Sequence, residues 1–466
     1  MIVVVIVGLY YLNAPSVEFG PDTYGYLAAA HQLHTTGNPV NYFRLPTYSF
    51  FLLGVYAFAG QGNLMAVSLV QGLLFLCAIG EISLLTFLIT RQKWMAFFIG
   101  ILVGTNIFLL YNVKLIMTEG LSLWLLTTIM LSAIVFLKIL RPFFLWISSA
   151  CLLLLLFTRP EWILFPCVLF LSLIVATRKK LALRTIAFPM ISALVVIYLL
   201  IGGYIYANAR LNHVASLSTI TNMNLIGKVL QYRMQDESPY NPSLSHIYDH
   251  FLRQGKISPY YITGQVPALG AHYAQASADW AKNIILSHPL EFLLKSVPFF
   301  FTSLYHYPAS SIPQIHGKFA PIITLLLRIQ LRLSFANMLF PLCALVWMTL
   351  CGYRKTRHAF CVQTMGLLVL TILYAVLITT LGGYTENDYA RIHVVFDPLL
   401  TLVVWGSFGL GISQLSSFLR GAGQSCSGME RFLIPRAFRN TSNRPHRSSN
   451  ALGKTPDSGR RGLPGE

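Results

Sequence analysis

Leu64-Met-Ala-Val-Ser-Leu-Val-Gln-Gly-Leu-Leu-Phe-Leu-Cys-Ala-Ile-Gly-Glu81-Ile-Ser-Leu-Leu-Thr-Phe-Leu-Ile-Thr90 holds a single ionisable side chain in an otherwise apolar run. It exceeds the roughly 20 residues that a helix needs to cross hydrocarbon. Its apolar residues do not alternate with period 2, so it reads as a helix and not as a barrel strand. Runs of the same order recur near 94–112, 116–138, 142–158, 161–177, 183–206, 333–353, 359–381 and 394–419. Of the 466 residues, 55% are hydrophobic and 11% charged, a balance that belongs to a polytopic membrane protein and excludes a soluble domain with one core. The fold class is all-α, with the bilayer as main solvent. An acid as deep as Glu81 is expensive in hydrocarbon, so a hydrogen bond to a neighbouring helix is expected there.

Two segments leave the helix count between ten and twelve by length alone. Leu290–Tyr305 and Phe319–Leu333 are a further pair of spans or a pair of interfacial helices. Met1–Leu12 is too short to cross: either it ends a longer helix or the chain natively starts earlier, and with no basic stretch before it, it is not a cleavable signal. Lys and Arg in short loops mark the cytoplasmic side. Arg91-Gln-Lys93, Lys138 to Arg141, Arg178-Lys-Lys180 with Arg184, and Arg354-Lys-Thr-Arg357 all fall on that side if Met1–Leu12 closes a first span. The opposite side then receives 13–63, the turns at Lys114–Glu119 and Thr158–Glu161, the polar stretch 207–318, and Tyr384–His393. Of the 16 Asp and Glu residues, all but Glu81, Glu430, Asp457 and Glu466 lie in or beside those outer segments. The expected organisation is a transmembrane module over 1–206 with a catalytic first outer loop at 13–63, a partly helical extracytoplasmic domain at 207–318, transmembrane helices over 319–420, and a disordered basic cytoplasmic tail at 421–466. The expected location is the plasma (inner) membrane. The net charge of +18 is then a topological signal and not a sign of nucleic-acid binding.

Glu18-Phe-Gly-Pro-Asp22-Thr-Tyr24-Gly-Tyr26 leads through His31 and His34 to Arg44-Leu-Pro46-Thr-Tyr48. An acid at a membrane surface ahead of a short amphipathic helix is not needed for insertion, and the stretch reads as an active-site loop. Asp22 also suits the N-cap of the helix that begins at Thr23. Met117-Thr-Glu119, Thr158-Arg159-Pro-Glu161 and Asn387-Asp-Tyr-Ala-Arg391-Ile-His393-Val-Val-Phe-Asp-Pro398 lie on the same side.

The set and order of these motifs, with Asn224-Leu-Ile-Gly and Ser287-His-Pro-Leu-Glu291, resemble the membrane glycosyltransferases of the GT-C class. The resemblance covers most of 15–400 and points to bacterial relatives of dolichyl-phosphate-mannose protein mannosyltransferases and of lipid A aminoarabinose transferase. It implies a GT-C-like bundle of about ten to twelve spans and transfer, with inversion, from a polyprenyl-phosphate-linked sugar to a glycan, lipid or protein acceptor at the outer face. In that class the first-loop acid, here Asp22, is the base or the anchor of an amine acceptor. Many relatives carry two adjacent acids there, whereas Thr23 follows Asp22, so the base is Asp22 or Glu18, with Glu119 a further acidic candidate.

The residue types suit that chemistry. A carboxylate raised by partial desolvation accepts a proton near neutral pH, and fixed cations stabilise a departing phosphate. Arg159, Arg391, Arg44 and Lys114 are the candidate phosphate ligands, each equally explicable as an interfacial cation. Tyr24, Tyr26 and His393 are the candidates for sugar or acceptor contacts. No cofactor is indicated. A divalent metal is a weaker expectation, since His246, Asp249 and His250, or His31 and His34, match no metal-hydrolase motif. The cysteines form no pair in an outer loop and read as packing residues. A transporter or flippase would show repeats and broken helices with polar residues at mid-membrane, and a non-catalytic scaffold would leave the outer acids as solvated caps.

Overall fold

A uniformly apolar chain in hydrocarbon can satisfy its backbone only by helix, and the chain folds accordingly. The structure, a computed structural model, describes residues 1–432 apart from 14, 179–182, 236–240, 267–272, 306–316 and 353–358; among them there is no strand. The chain opens with α1 (Ile2–Asn13), α2 (Thr23–Thr36), α3 (Pro46–Ala59), α4 (Leu64–Thr90), α5 (Lys93–Gly104), α6 (Ile107–Lys114), α7 (Glu119–Ile139) and α8 (Phe143–Leu156). It continues through α9 (Phe165–Thr177), α10 (Leu183–Asn212), α11 (Thr219–Gln231), α12 (Pro242–Arg253), α13 (Pro259–Gln265), α14 (Tyr273–Ser287) and α15 (Pro289–Tyr305). The last helices are α16 (Ala320–Ser334), α17 (Phe340–Gly352), α18 (Ala359–Gly382) and α19 (Glu386–Phe432). Among the described residues seven helices are long and apolar enough to cross a membrane, nine with two bent pairs, and α1, α3 and α8 are shorter apolar helices. The protein is a multi-pass membrane protein.

Local chemistry sets the helix ends. The Asn63 side chain accepts from the Ala66 amide to open α4, and Arg91 takes a left-handed turn (φ 60°) to close it. Pro46 occupies the first turn of α3, and Gly37 closes α2 at φ 69°, where glycine carries no steric penalty. The run near 142–158 yields only α8, because Pro160 biases Arg159 to extended backbone (φ −144°). The run near 94–112 breaks between α5 and α6 with a 55° bend. Asn106 caps α6 by accepting from the Phe108 and Leu109 amides, while Gln330 of α16 accepts from the Ile107 amide and donates to the Thr105 carbonyl. These side chains restore the bonds that the break removes. α14 and α15 likewise meet at 96°, and α10 runs unbroken past the expected boundary at 206 to Asn212, ending where His213 turns left-handed (φ 58°).

α7 sits at the centre, packed against α8, α4, α18, α9 and α6. It is apolar on every side, as a helix enclosed by others must be. Glu81 of α4 accepts hydrogen bonds from Thr127 (2.5 Å) and Thr128 (2.8 Å) of α7, and Ser132 of α7 bonds Ser148 of α8 at 2.6 Å. A second, smaller core joins Ile226, Leu230, Tyr248, Trp280, Ile284 and Phe292, with Tyr248 stacked on Trp280 at 4.7 Å. It gives the segment between α10 and α16 packing of its own. Residues Met1–Ile412 make one compact unit and Ser413–Glu466 another. Of the latter the helix as far as Phe432 is described, and the remainder of the expected disordered tail lies outside the described residues.

Candidate functional site

The first turns of α2, α3, α7 and α19 and the last turns of α8 and α18 meet at one end of the bundle around a cavity of about 280 Å³. Asp22, Tyr26, Arg44, Arg159, Glu161, Asn224, Tyr260, Tyr384, Asp388 and Arg391 line it. Motifs far apart in the chain therefore share one surface.

Their charges form a continuous ladder. Arg44 Nη2 lies 2.7 Å from Asp22 Oδ1, and Arg391 Nη1 lies 2.8 Å from Asp22 Oδ2. Arg391 Nε donates to Glu119 Oε1 at 2.7 Å, Arg159 Nη1 stands 3.8 Å from the same oxygen, and Arg159 Nε donates to Glu161 Oε1 at 2.5 Å. Glu119 is wholly buried, while the Asp22 side chain keeps 27% of its surface. Three buried ladder atoms, Arg44 Nε, Arg159 Nη1 and Glu119 Oε2, have no hydrogen-bond partner among the described residues.

The loop that holds Asp22 and Arg44 is built from short-range bonds. Asn41 Oδ1 accepts from the Phe43 and Arg44 amides at 2.8 Å each, and Thr23 Oγ1 accepts from the Gly20 amide and donates to the Ile116 carbonyl. Asp22 stands at the N-cap position of α2, yet its side chain makes no capping bond; both carboxylate oxygens turn to arginines. A Cβ at Gly25 would come within 2.8 Å of Arg44 Nε, so glycine there lets the guanidinium lie close against α2. The Arg44 guanidinium lies 4.4 Å from the Tyr26 and Phe43 ring centres, a cation–π arrangement that fixes its plane. From the other side, Ser218 donates to the Phe43 carbonyl at 2.8 Å and the Thr219 amide to the Tyr42 carbonyl at 2.9 Å, so the start of α11 is docked onto this loop.

The ladder alters the acid's chemistry. Burial alone would raise the Asp22 carboxyl, but Arg391 and Arg44 outweigh it and bring its pKa down to about 2. The expectation of a carboxylate raised towards neutrality is thereby corrected: two guanidiniums hold Asp22 ionised and weakly basic. The arginines, expected as cations awaiting a phosphate, are each already paired with an acid. Burial would weaken the Arg159 guanidinium, and Glu161 and Glu119 more than offset that. Burial also pushes the Tyr260 and Tyr384 phenols up, so both stay neutral.

Five of the candidate site residues lie off the cavity, among them Glu119, which is buried behind Arg391 and Arg159. Lys114 is buried against Glu18 (3.0 Å) with its ammonium near the Tyr10 and Tyr11 rings; as neither lines the cavity, the phosphate role for Lys114 and the base role for Glu18 have no geometric support. Tyr24 is exposed and packed on Phe19. His393 is fully buried, bonded to Asp397 at 3.0 Å and to the Ser303 carbonyl at 2.9 Å, and so points into the bundle. Asp397 in turn accepts from Asn106 Nδ2. Tyr26 and the three arginines do reach the cavity. His250 bonds Gln254 and Asp249 pairs with Arg253; among the described residues no three His, Cys, Asp or Glu side chains converge as a metal site would need.

Sequence reasoning gave no site role to the wall contributed by the N-cap of α11, α13, the neck before α19 and the first turn of α19: Ser218, Tyr260, Tyr384, Thr385 and Asp388. It also missed Lys228, whose ammonium is enclosed by the rings of Tyr232, Phe299 and Tyr389 at 4.9–5.1 Å and bonded to Tyr389 Oη at 2.7 Å and Gln231 Oε1 at 3.0 Å. Burial lowers its pKa to about 7, with Asp388 opposing. The available signal was Gly227-Lys228 in an amphipathic helix: a Cβ at Gly227 would collide with the Tyr384 ring, so α11 and the neck touch there.

No protein-family model, curated protein or solved structure matches the chain.

Proposed function

We propose that this protein is a membrane glycosyltransferase of the GT-C kind, moving a sugar from a polyprenyl-phosphate donor to an acceptor nucleophile with inversion, at the extracytoplasmic face of the plasma membrane. The observation that carries the reading is Asp22 held between Arg44 and Arg391 in a cavity at helix ends, with Arg159 one carboxylate away. Such a site pairs an acceptor-orienting carboxylate with guanidiniums whose planar fork suits phosphate. The cavity, near the lower end of the ~300–1,000 Å³ usual for ligand sites, suits one sugar and its phosphate. The basic short loops support the orientation.

In the reaction the acceptor hydroxyl passes its proton to Asp22 as its oxygen bonds to the anomeric carbon. The bond from that carbon to the phosphate oxygen breaks, and the electron pair leaves with the phosphate onto Arg391 and Arg159. Asp22→Asn keeps the side chain's size but removes charge and basicity. Purified variant should bind donor and lose transfer by about two decades or more. The substrate comes from a lipid extract of a strain lacking the gene, searched by mass for an accumulated polyprenyl-phosphate sugar. Wild-type transfer by Asp22→Asn would refute the reading.

One observation favours a second reading, transport: the break between α5 and α6 carries Asn106 onto Asp397, which also bonds His393, within the spans, as discontinuous helices of transporters do. Asp397→Asn should leave transfer unchanged if the enzyme reading is right. Loss of solute movement with transfer absent throughout would favour transport.

A further inference from the structure

The cavity has no spare cation. Among the described residues that line it, Arg44, Arg159 and Arg391 are the only basic ones, and each already faces a carboxylate. An arriving phosphate must therefore take a guanidinium from an acid or share one. Glu119 is wholly buried and lies outside the lining, so it cannot leave Arg391 without stranding its charge. Asp22 faces the cavity and is partly exposed; water can take up its charge. Arg159 Nη1 is buried and makes no hydrogen bond, so it has a donor to give a phosphate oxygen once the site opens to it. Arg391 and Arg159 converge on the same Glu119 oxygen, so the two guanidiniums are neighbours.

We infer that the donor binds by anion exchange: its phosphate takes Arg391 Nη1 from Asp22, so the carboxylate is released as a base only once the donor is in place. This rests on the glycosyltransferase reading and adds an order to it, donor before acceptor. With its cations engaged the empty site is a poor base, and the bound phosphate turns it into a better one by removing the charge that held the proton off. The groups facing Asp22 are Arg44 ahead of α3, Arg391 of α19, Tyr26 of its own helix, Tyr260 of α13 and Tyr384 of the neck, with Glu119 behind Arg391. Asp388 and Glu161 share the cavity. The phenols do not titrate between pH 4 and 6, and substitution of Asp22 separates its proton from those of the other two acids.

The probe is farnesyl methyl phosphate, a phosphodiester whose single charge is constant over this range, bound to detergent-purified full-length protein in calorimetry. Wild type should take up part of a proton on binding at pH 4–6, read from the difference between two buffers of unlike ionisation heat. Asp22→Asn should abolish the uptake and bind the probe about tenfold more tightly, since the competing carboxylate is gone. Uptake by wild type needs no variant and so does not depend on how Asp22→Asn folds. Binding by wild type with no uptake, or equal or weaker binding by Asp22→Asn, overturns the exchange and leaves the glycosyltransferase reading standing. No binding by either protein overturns both.

Discussion

The ladder at the cavity and the cage around Lys228 bury charge in opposite ways. In the ladder each acid touches a guanidinium and each guanidinium an acid, so ionisation is self-consistent and Asp22 stays charged down to about pH 2. In the cage the ammonium meets three ring faces and neutral oxygens, with Asp388 its nearest electrostatic support. Cation–π contacts and neutral acceptors return only part of the lost hydration, and the ammonium gives up its proton near pH 7. Burial alone does not set a protonation state; the presence of a counter-charge does. The two clusters are neighbours in sequence as well, since Asp388 and Tyr389 of the cage precede Arg391 of the ladder.

Breaking the ladder at its buried centre should have the largest effect. Glu119→Ala leaves Arg391 and Arg159 facing each other without their shared acid, and loss of one partner of a buried ion pair costs about 3–5 kcal/mol. Thermal melting in detergent should fall steeply, and transfer should vanish with it. A change below about 1 kcal/mol, the value of an exposed pair, would mean that the ladder is a set of independent surface contacts.

The cage predicts a pH slope of the same sign as that of a paired acid, since both folded pKa values are depressed, but it falls near neutrality and comes from a charge that burial destabilises. The folded pKa of Lys228, about 7, lies below the unfolded value of roughly 10.4. Between these limits the unfolded chain binds more protons, so stability rises with pH by up to about 1.4 kcal/mol per unit. Melting of wild type minus that of Lys228→Met should show this slope between pH 7 and 9, whereas Lys228→Arg, which cannot lose its proton, should be destabilised throughout. A flat difference would show that the ammonium keeps its proton and that the cage solvates it as well as water does.

The smallest effect concerns the neutral polar contacts within the spans. Thr127→Val removes one of the side-chain bonds to Glu81 and should cost about 1 kcal/mol. It should leave donor binding unchanged, because Glu81 does not line the cavity. Impaired donor binding would tie the bundle interior to the ladder.

The runs of apolar residues were enough to establish an all-α membrane bundle, because hydrocarbon allows a lone segment no other way to pair its backbone. The turn at Thr158–Glu161 was legible between two apolar runs for reasons local to a few residues. The break at Asn106 was not legible: it depends on Gln330 and Asp397 arriving from other helices to take up the freed groups. At the cavity, Asp22, Arg44, Glu119, Arg159 and Arg391 were visible as polar residues at helix ends. That Asp22 holds two arginines while Lys114 turns to Glu18 and His393 to Asp397 was not. The sequence fixes which charges exist and at which ends of helices they stand. Only tertiary structure decides which meet, because Coulomb energy depends on distance and dielectric across elements hundreds of residues apart, and that pairing sets whether an acid is a base, an anchor or a counter-ion.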